Sequence, residues 1–289
     1  MKSSASLRGK IVFVTGGSGG LGKAISQALA AKGAHVTIFA RREGPLADAK
    51  SEIQKFISEP SQEIRAVAID LSDASKVDEA FRAQPRMADA LYCVAGGNHA
   101  ENGFLVDIKA SDLENCMRNN YYSAAFPAKA LLNIWTEDDA KKASGAPRAN
   151  PRLRQIVFVS SAAAFLGLPG SIAYTRFYLE QDTKTPLTKR MQGTDCSIAE
   201  LESRYPTSAK VASQIIAAVG NGEFIICKDS MAASLLFTNM IGPSPKRGLG
   251  IADSLLGWLV GWFVWPVLRR RWEAMCREDG EELGRVRGQ

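Results

Sequence analysis

A parallel, doubly wound α/β sheet is the fold predicted for this chain, on three observations. Short apolar runs alternate with helical stretches through roughly the first half of the sequence. The runs are nearly continuous in Val, Ile, Ala and Phe, as in strands covered on both faces. The first, Ile11-Val12-Phe13-Val14, passes directly into Thr15-Gly16-Gly17-Ser18-Gly19-Gly20-Leu21-Gly22, a buried strand that turns on glycines into a helix. Such a strand, glycine turn and helix open a Rossmann-type sheet.

The elements follow in order. A helix is expected over 22–31, stopped by Gly33, then a strand over 34–40 and a polar helix over 46–58. Strands at 64–70 and 88–95 bracket a short helix at 73–83, and a long apolar-striped helix spans 111–134. The charged stretch 136–153, with Gly145, Pro147 and Pro151, reads as an exposed loop before a fifth strand at 154–160. From 175 to 207 the sequence is polar and irregular. Order resumes with a helix at 208–219, a sixth strand at 223–227 and a helical stretch at 230–241. Residues 1–230 form the predicted main domain and 231–289 an apolar, basic-flanked tail.

Composition narrows the function. At 289 residues the chain can bury one sizeable core, and its 46% hydrophobic content is that of an ordinary α/β protein. The net charge of +6 does not point to nucleic acid, because the basic residues are scattered and gather mainly near the C-terminus. Five single cysteines without a CxxC, and no signal peptide before the first strand, suit a reduced, cytosol-facing compartment. With only His35 and His99, a histidine-based metal site or triad is not expected.

The glycine turn aims backbone N–H groups and a positive helix end at one point, where a phosphate fits. Gly16, Ser18, Gly19, Gly20 and Gly22 are therefore the expected pyrophosphate cradle. At the end of the next strand stand Arg41 and Arg42 rather than an acid. Two cations there favour a 2′-phosphate, and hence NADPH over NADH. Beyond the fifth strand lie Ser161 and Tyr174, at the carboxyl end of the sheet where ligands bind. A phenol can donate a proton to a ketone oxygen while a hydride reaches the carbon, and a serine hydroxyl can hold that oxygen. Asn120, inside the long helix, offers an amide that could organise water.

On these residues the chain resembles the short-chain dehydrogenase/reductase family. Thr15-Gly16-xxx-Gly20-x-Gly22 fits the family's cofactor motif, Asp70-Leu71 its adenine-contacting pair, and Ala95-Gly96 the motif after its fourth strand. Cys93-Val94 stand where asparagines are usual. Asn120, Ser161 and Tyr174 fit its catalytic Asn, Ser and Tyr, with the last two thirteen residues apart as in the family. Thr15–Ser18, Val157–Ser161 and Leu166–Gly170 are similar to the motifs of its 3-ketodihydrosphingosine (3-dehydrosphinganine) reductase branch. The resemblance implies NADPH-dependent reduction of a long-chain 3-keto base in sphingolipid synthesis, on the cytosolic face of the endoplasmic reticulum.

One departure is serious. The family carries a lysine four residues after the tyrosine, and this chain has Tyr178. The sequence after Tyr174 jumps to a stretch that in the family follows the sixth strand, so one strand and one helix are expected to be absent. A free phenol has a pKa near ~10, and a close cation lowers it by roughly 1–3 units. Without that cation the tyrosinate left after proton transfer is unstabilised, and activity is expected to fall by orders of magnitude. Lys184 and Lys189 are the alternative cations. The absent helix also pairs with the long helix across the family's dimer interface, so a homodimer would be weakened.

Three further readings fit parts of the sequence. Gly16-Gly17-Ser18-Gly19-Gly20 matches a hydrolase GxSxG, but phosphate cradling explains the same glycines and His99 is the most plausible later histidine. A reductase of another lipid or steroid ketone fits the same site. A catalytically silent NADPH-binding isoform fits Tyr178. In the tail, Ser254–Leu268 gives fifteen uncharged residues against about 20 for a span. With Trp258, Trp262 and Trp265 on one side and three arginines after it, this tail is expected to associate with a membrane.

Overall fold

A computed structural model describes residues 7–97, 109–143, 154–160, 206–223 and 226, with isolated positions between 255 and 278. The chain divides into two compact units. One joins Met1–Gly97, Glu114–Val159 and Ser208–Gly222, and the other joins Asn98–Leu113, Ser160–Thr207 and Glu223–Gln289.

Among the described residues, the first unit is built on five strands: β1 (Ile11–Thr15), β2 (His35–Ala40), β3 (Ile64–Ala68), β4 (Ala90–Cys93) and β5 (Gln155–Phe158). They form one sheet in the order β3-β2-β1-β4-β5, and every pairing is parallel. Strand order reverses between β1 and β4, which makes the carboxyl ends of these two strands the topological switch point. The helices are α1 (Gly20–Ala31), α2 (Glu43–Gln54), α3 (Ala74–Arg82), α4 (Ala110–Cys116), α5 (Ser123–Ala143) and α6 (Ser208–Gly220).

Both faces of the sheet are apolar, because side chains alternate between them. Val12, Val14, Val36 and Ile38 pack with Ile25 and Leu29 of α1, Leu46 and Ile53 of α2, and Ile216 of α6. Ile11, Phe13, Phe39 and Leu91 pack on the opposite face with Val77 and Phe81 of α3 and Leu131 and Trp135 of α5. The Phe13, Phe39 and Phe81 rings meet at centroid distances of 4.7–5.2 Å. The continuous apolar runs of the sequence therefore arise from burial on two sides.

Some boundaries differ from the sequence expectation. α2 starts at Glu43 rather than 46, with Pro45 in its first turn, where a missing N–H costs nothing. The predicted loop from 136 begins instead as the last turns of α5. Its acids are held there by cations: Arg82 Nη1 contacts Glu137 at 2.7 Å, and Arg154 contacts Asp138 at 2.6 Å and Asp139 at 2.7 Å. Between α4 and α5, Met117–Tyr122 form a π-helical turn. Pro127 follows within α5 and cannot donate to the turn before it.

In the second unit, Leu255, Trp258, Trp262, Phe263 and Val267 are exposed helical positions. The expected strand at 223–227, apart from Glu223 and Ile226, and the helical stretch at 230–241 lie outside the described residues. Among the described residues, no helix is long and apolar enough to cross a membrane.

Candidate functional site

Thr15 ends β1 and anchors the site. Fully buried, its Oγ1 accepts hydrogen bonds from the N–H groups of Val94 at 3.0 Å and Ala95 at 3.1 Å. The glycine turn is thereby tied to the chain leaving β4. Gly16 then takes a φ of +70° and packs so closely that a Cβ would lie 2.8 Å from the Ala95 backbone. A Cβ on Gly22 would run into the Gly16 carbonyl, so the first turn of α1 is pressed onto the loop.

Gly19 is different. Its φ of −170° is open to any residue, and a Cβ there would meet nothing within 4 Å. It caps α1 without a side-chain hydrogen bond, and the first turn carries no acid. α3 shows the contrast: Asp73 caps it by accepting from the Lys76 N–H at 3.1 Å. Among the described residues, α1 therefore begins without a side-chain cap or an acid, beside a Gly19 that is not crowded, an arrangement that suits an anion. Ser18 is half-buried on the same loop.

At the end of β2, Arg41 and Arg42 are both exposed, but they do different things. Arg42 serves as the extended N-cap of α2. Arg41 turns across the switch point and donates from Nη1 to Asn119 Oδ1 at 3.3 Å. Asp70 lies at the end of β3, where Oδ1 accepts from the Ser72 N–H at 2.9 Å and the Ser72 hydroxyl at 2.8 Å. Its partial burial opposes ionisation. The two Ser72 hydrogen bonds and the charges of Arg41 and Arg118 outweigh that and hold its carboxyl below the usual range. Leu71 points its side chain into the core, 4% exposed, so its main chain is what it can offer an adenine.

Asn120 meets the loop after β4 at two points. Its Oδ1 accepts from the Gly97 N–H at 2.9 Å, and its Nδ2 donates to the Gly97 carbonyl at 3.2 Å and to the Cys116 carbonyl at 3.0 Å. A Cβ on Gly96 would come within 2.9 Å of the same Oδ1. Ser123 Oγ lies 2.6 Å from the Asn119 carbonyl and 3.3 Å from that of Ala95, a second tie between helix and loop. Cys93, in a position where asparagine is usual, is buried, and burial pushes its thiol up to about 12. It is an inert packing group rather than a nucleophile.

The fold thus brings Gly16, Ser18, Gly19, Gly20, Gly22, Arg41, Asp70, Leu71, Gly96 and Asn120 to the carboxyl ends of β1, β2, β3 and β4. Arg42 stands on the same edge, at the start of α2. Ser161 and Tyr174 lie outside the described residues. Sequence reasoning placed Thr15 in the cofactor motif without giving its hydroxyl a role, and it passed over Asn119 and Ser123. The role of the Thr15 hydroxyl was open to inference, because a lone buried hydroxyl at a strand end needs partners. Asn119 gives no such signal, since its partner is 78 residues away.

A model of the short chain dehydrogenase family matches residues 10–176. The match covers more than half of the chain, and the chain belongs to that family. By lineage it stands among oxidoreductases. The bovine 3-ketodihydrosphingosine reductase is 33% identical over 171 residues, covering 58% of this chain and 48% of that protein. A fission-yeast PIGF/3-ketodihydrosphingosine reductase fusion protein is 25% identical over 300 residues, covering 95% of this chain and 58% of its own length. L-sorbose reductase from Gluconobacter frateurii, solved with NADPH and L-sorbose, is 26% identical, covers 44% of this chain and 47% of its own, and has a TM-score of 0.39. The chain spans about half the length of the first curated relatives it matches.

Proposed function

We propose that this chain is of the NADPH-dependent 3-ketodihydrosphingosine reductase type, reducing the 3-keto group of a long-chain base to an alcohol, with catalysis impaired by the absent lysine. The cofactor half of this reading is carried by the uncapped, acid-free start of α1 beside the open space at Gly19, with Arg41 at the neighbouring strand end. The substrate half rests on relatives that carry this reductase name.

The residues fit the cofactor. Gly16, Ser18, Gly19, Gly20 and Gly22 would hold the pyrophosphate, and Asp70 and the Leu71 main chain would flank the adenine. Arg41, with Arg42 as the sequence-predicted second cation, would favour the 2′-phosphate. When bound, the nicotinamide supplies a hydride to the carbonyl carbon. Ser161 would hold the carbonyl oxygen and Tyr174 would give it a proton, leaving a tyrosinate that water must reprotonate. Asn120 would support these groups chiefly by fixing Gly96 and Gly97. The second lone pair of its Oδ1 is where a relay water would sit.

The exposed apolar positions Trp258, Trp262 and Phe263, followed by Arg269-Arg270-Arg271, support a membrane-associated tail. That placement goes with the cytosolic face of the endoplasmic reticulum. Met117, Tyr121 and Leu132, about half exposed along the long helix, support a homodimer face. Tyr178 favours a second reading, a silent NADPH-binding isoform.

The test is NADPH oxidation by the full chain with 3-ketodihydrosphingosine in detergent micelles. It runs beside Tyr174→Phe and a chain carrying a reductase helix and strand inserted after Tyr174. Slow turnover, abolished by Tyr174→Phe and raised by orders of magnitude by the insertion, supports the reading. Turnover equal to that of the inserted chain removes the impairment, and turnover unaffected by Tyr174→Phe removes the mechanism.

A further inference from the structure

A small recess opens at the amino ends of β1, β2 and β3, the edge of the sheet opposite the nucleotide site. Its lining includes His35, Thr37, Glu63, Arg65 and Arg86. Thr37 lies deepest, 5% exposed, two residues along β2 from His35, so both side chains face the same side of the sheet. Arg65 is its register partner on β3. Among the described residues the Thr37 hydroxyl has no hydrogen-bond partner. A buried hydroxyl left so points to a group that supplies one.

The groups around it are donors. His35 Nδ1 accepts from the Glu63 N–H at 3.1 Å, so the ring proton sits on Nε2. Arg86 Nη1 lies 3.4 Å from that Nε2, and two donors therefore face each other with no acceptor between them. The other nitrogen, Nη2, is taken by His35 Nδ1 at 3.1 Å and Glu63 Oε2 at 3.1 Å. Arg65 spends its Nε and Nη2 on the same Glu63 oxygen, each at 3.0 Å. Two guanidinium groups against one carboxylate leave the recess positive.

We propose that this recess binds a phosphate dianion, with one oxygen accepting from the Thr37 hydroxyl and the others from Arg86 Nη1 and His35 Nε2. An oxyanion supplies acceptors only, which is what this set of groups lacks, and its charge strengthens each guanidinium contact. The site is separate from the nucleotide pocket and does not depend on the NADPH reading. Bound phosphate ties the start of β2 to the segment after α3, and it stabilises the folded chain by mass action.

The test is calorimetric titration of the full chain with inorganic phosphate at pH 7.5, with chloride holding the ionic strength constant. Wild type should show saturable binding. Arg86→Gln should weaken it at least tenfold and Thr37→Val roughly three- to tenfold, while Thr37→Ser keeps it within about twofold. Gly19→Ala and Arg41→Gln, at the nucleotide edge, should leave this binding within about twofold of wild type. Arg86 is 40% exposed, so its replacement spares the core, and circular dichroism certifies each variant as folded. No saturable binding in wild type overturns the proposal. So does binding that Arg86→Gln retains in full, or binding lost in Gly19→Ala or Arg41→Gln, which would place the phosphate at the nucleotide edge. An equal loss in Thr37→Val and Thr37→Ser overturns the role given to the hydroxyl.

Discussion

Asn120 and Gly97 are paired through both ends of one carboxamide: Oδ1 accepts the Gly97 N–H at 2.9 Å, while Nδ2 donates to the Gly97 carbonyl at 3.2 Å. The pair fastens the chain leaving β4 to the π turn, and Gly96 fits beneath it only because it lacks a Cβ. Gly96→Ala places a methyl 2.9 Å from Oδ1, so the amide must swing away. A loss of about 1–3 kcal/mol in unfolding free energy is expected, as for other overpacked sites. Asn120→Ala should cost a similar amount by leaving Gly97 unpaired. Urea unfolding checks both. The double variant should lose less than the sum, because the two changes disturb one contact.

Gly19 and Gly22 separate binding from folding. Gly22→Ala drives a methyl into the Gly16 carbonyl and should lower the unfolding midpoint clearly. Gly19→Ala meets open space at an ordinary backbone angle and should lower the unfolding free energy by no more than about 1 kcal/mol, the difference between Gly and Ala at an N-cap. Nucleotide affinity should nonetheless fall several-fold in Gly19→Ala, because the methyl fills the place where the phosphate approaches α1. Titration and denaturant unfolding of the same samples read the two effects apart.

Asn119→Asp turns the neutral holder of Arg41 into a charged one. An ion pair would then compete with the 2′-phosphate for the guanidinium, and a like charge would face the incoming phosphate. NADPH affinity is expected to drop about tenfold while NADH affinity holds, a selectivity change that titration in low salt resolves best.

His35 makes stability depend on pH at the opposite end of the sheet. Its Nδ1 accepts from the Glu63 N–H at 3.1 Å, and Arg86 Nη2 lies 3.1 Å from the same atom. Burial, then the Arg86 charge, lower its pKa, while Glu63 and Glu59 partly oppose them. The folded state therefore binds this proton less readily than the unfolded chain. The resulting stability is full above the unfolded value near ~6.5 and is lost as pH falls below it toward the folded value. Urea unfolding at pH 7.5 and pH 5.5 should show a decline in wild type and a smaller one in His35→Gln.

The parallel sheet was legible because its strands are apolar on both faces, and the cradle because glycines crowd where backbone meets backbone at Gly16 and Gly22. The end of α5 was not. Glu137, Asp138 and Asp139 read as a solvated loop until Arg82 and Arg154 are seen to reach them across the fold. The π turn was equally hidden, since an i→i+5 pattern leaves no period in the apolar residues. Asn120 was identified by type and position, but its clamp on Gly97 depends on that turn. Arg41 was found from its place after β2, whereas its hold by Asn119 exists only in the folded chain.

The central claim is that the start of α1 and the guanidinium edge beside it form a pocket for the phosphorylated nicotinamide dinucleotide. Calorimetric titration of the full chain with NADPH and NADH tests it most directly. Saturable binding of NADPH, at least tenfold tighter than NADH at low salt and converging toward it as salt is raised, is the predicted result. Tighter binding of NADH, or binding of neither, would contradict it.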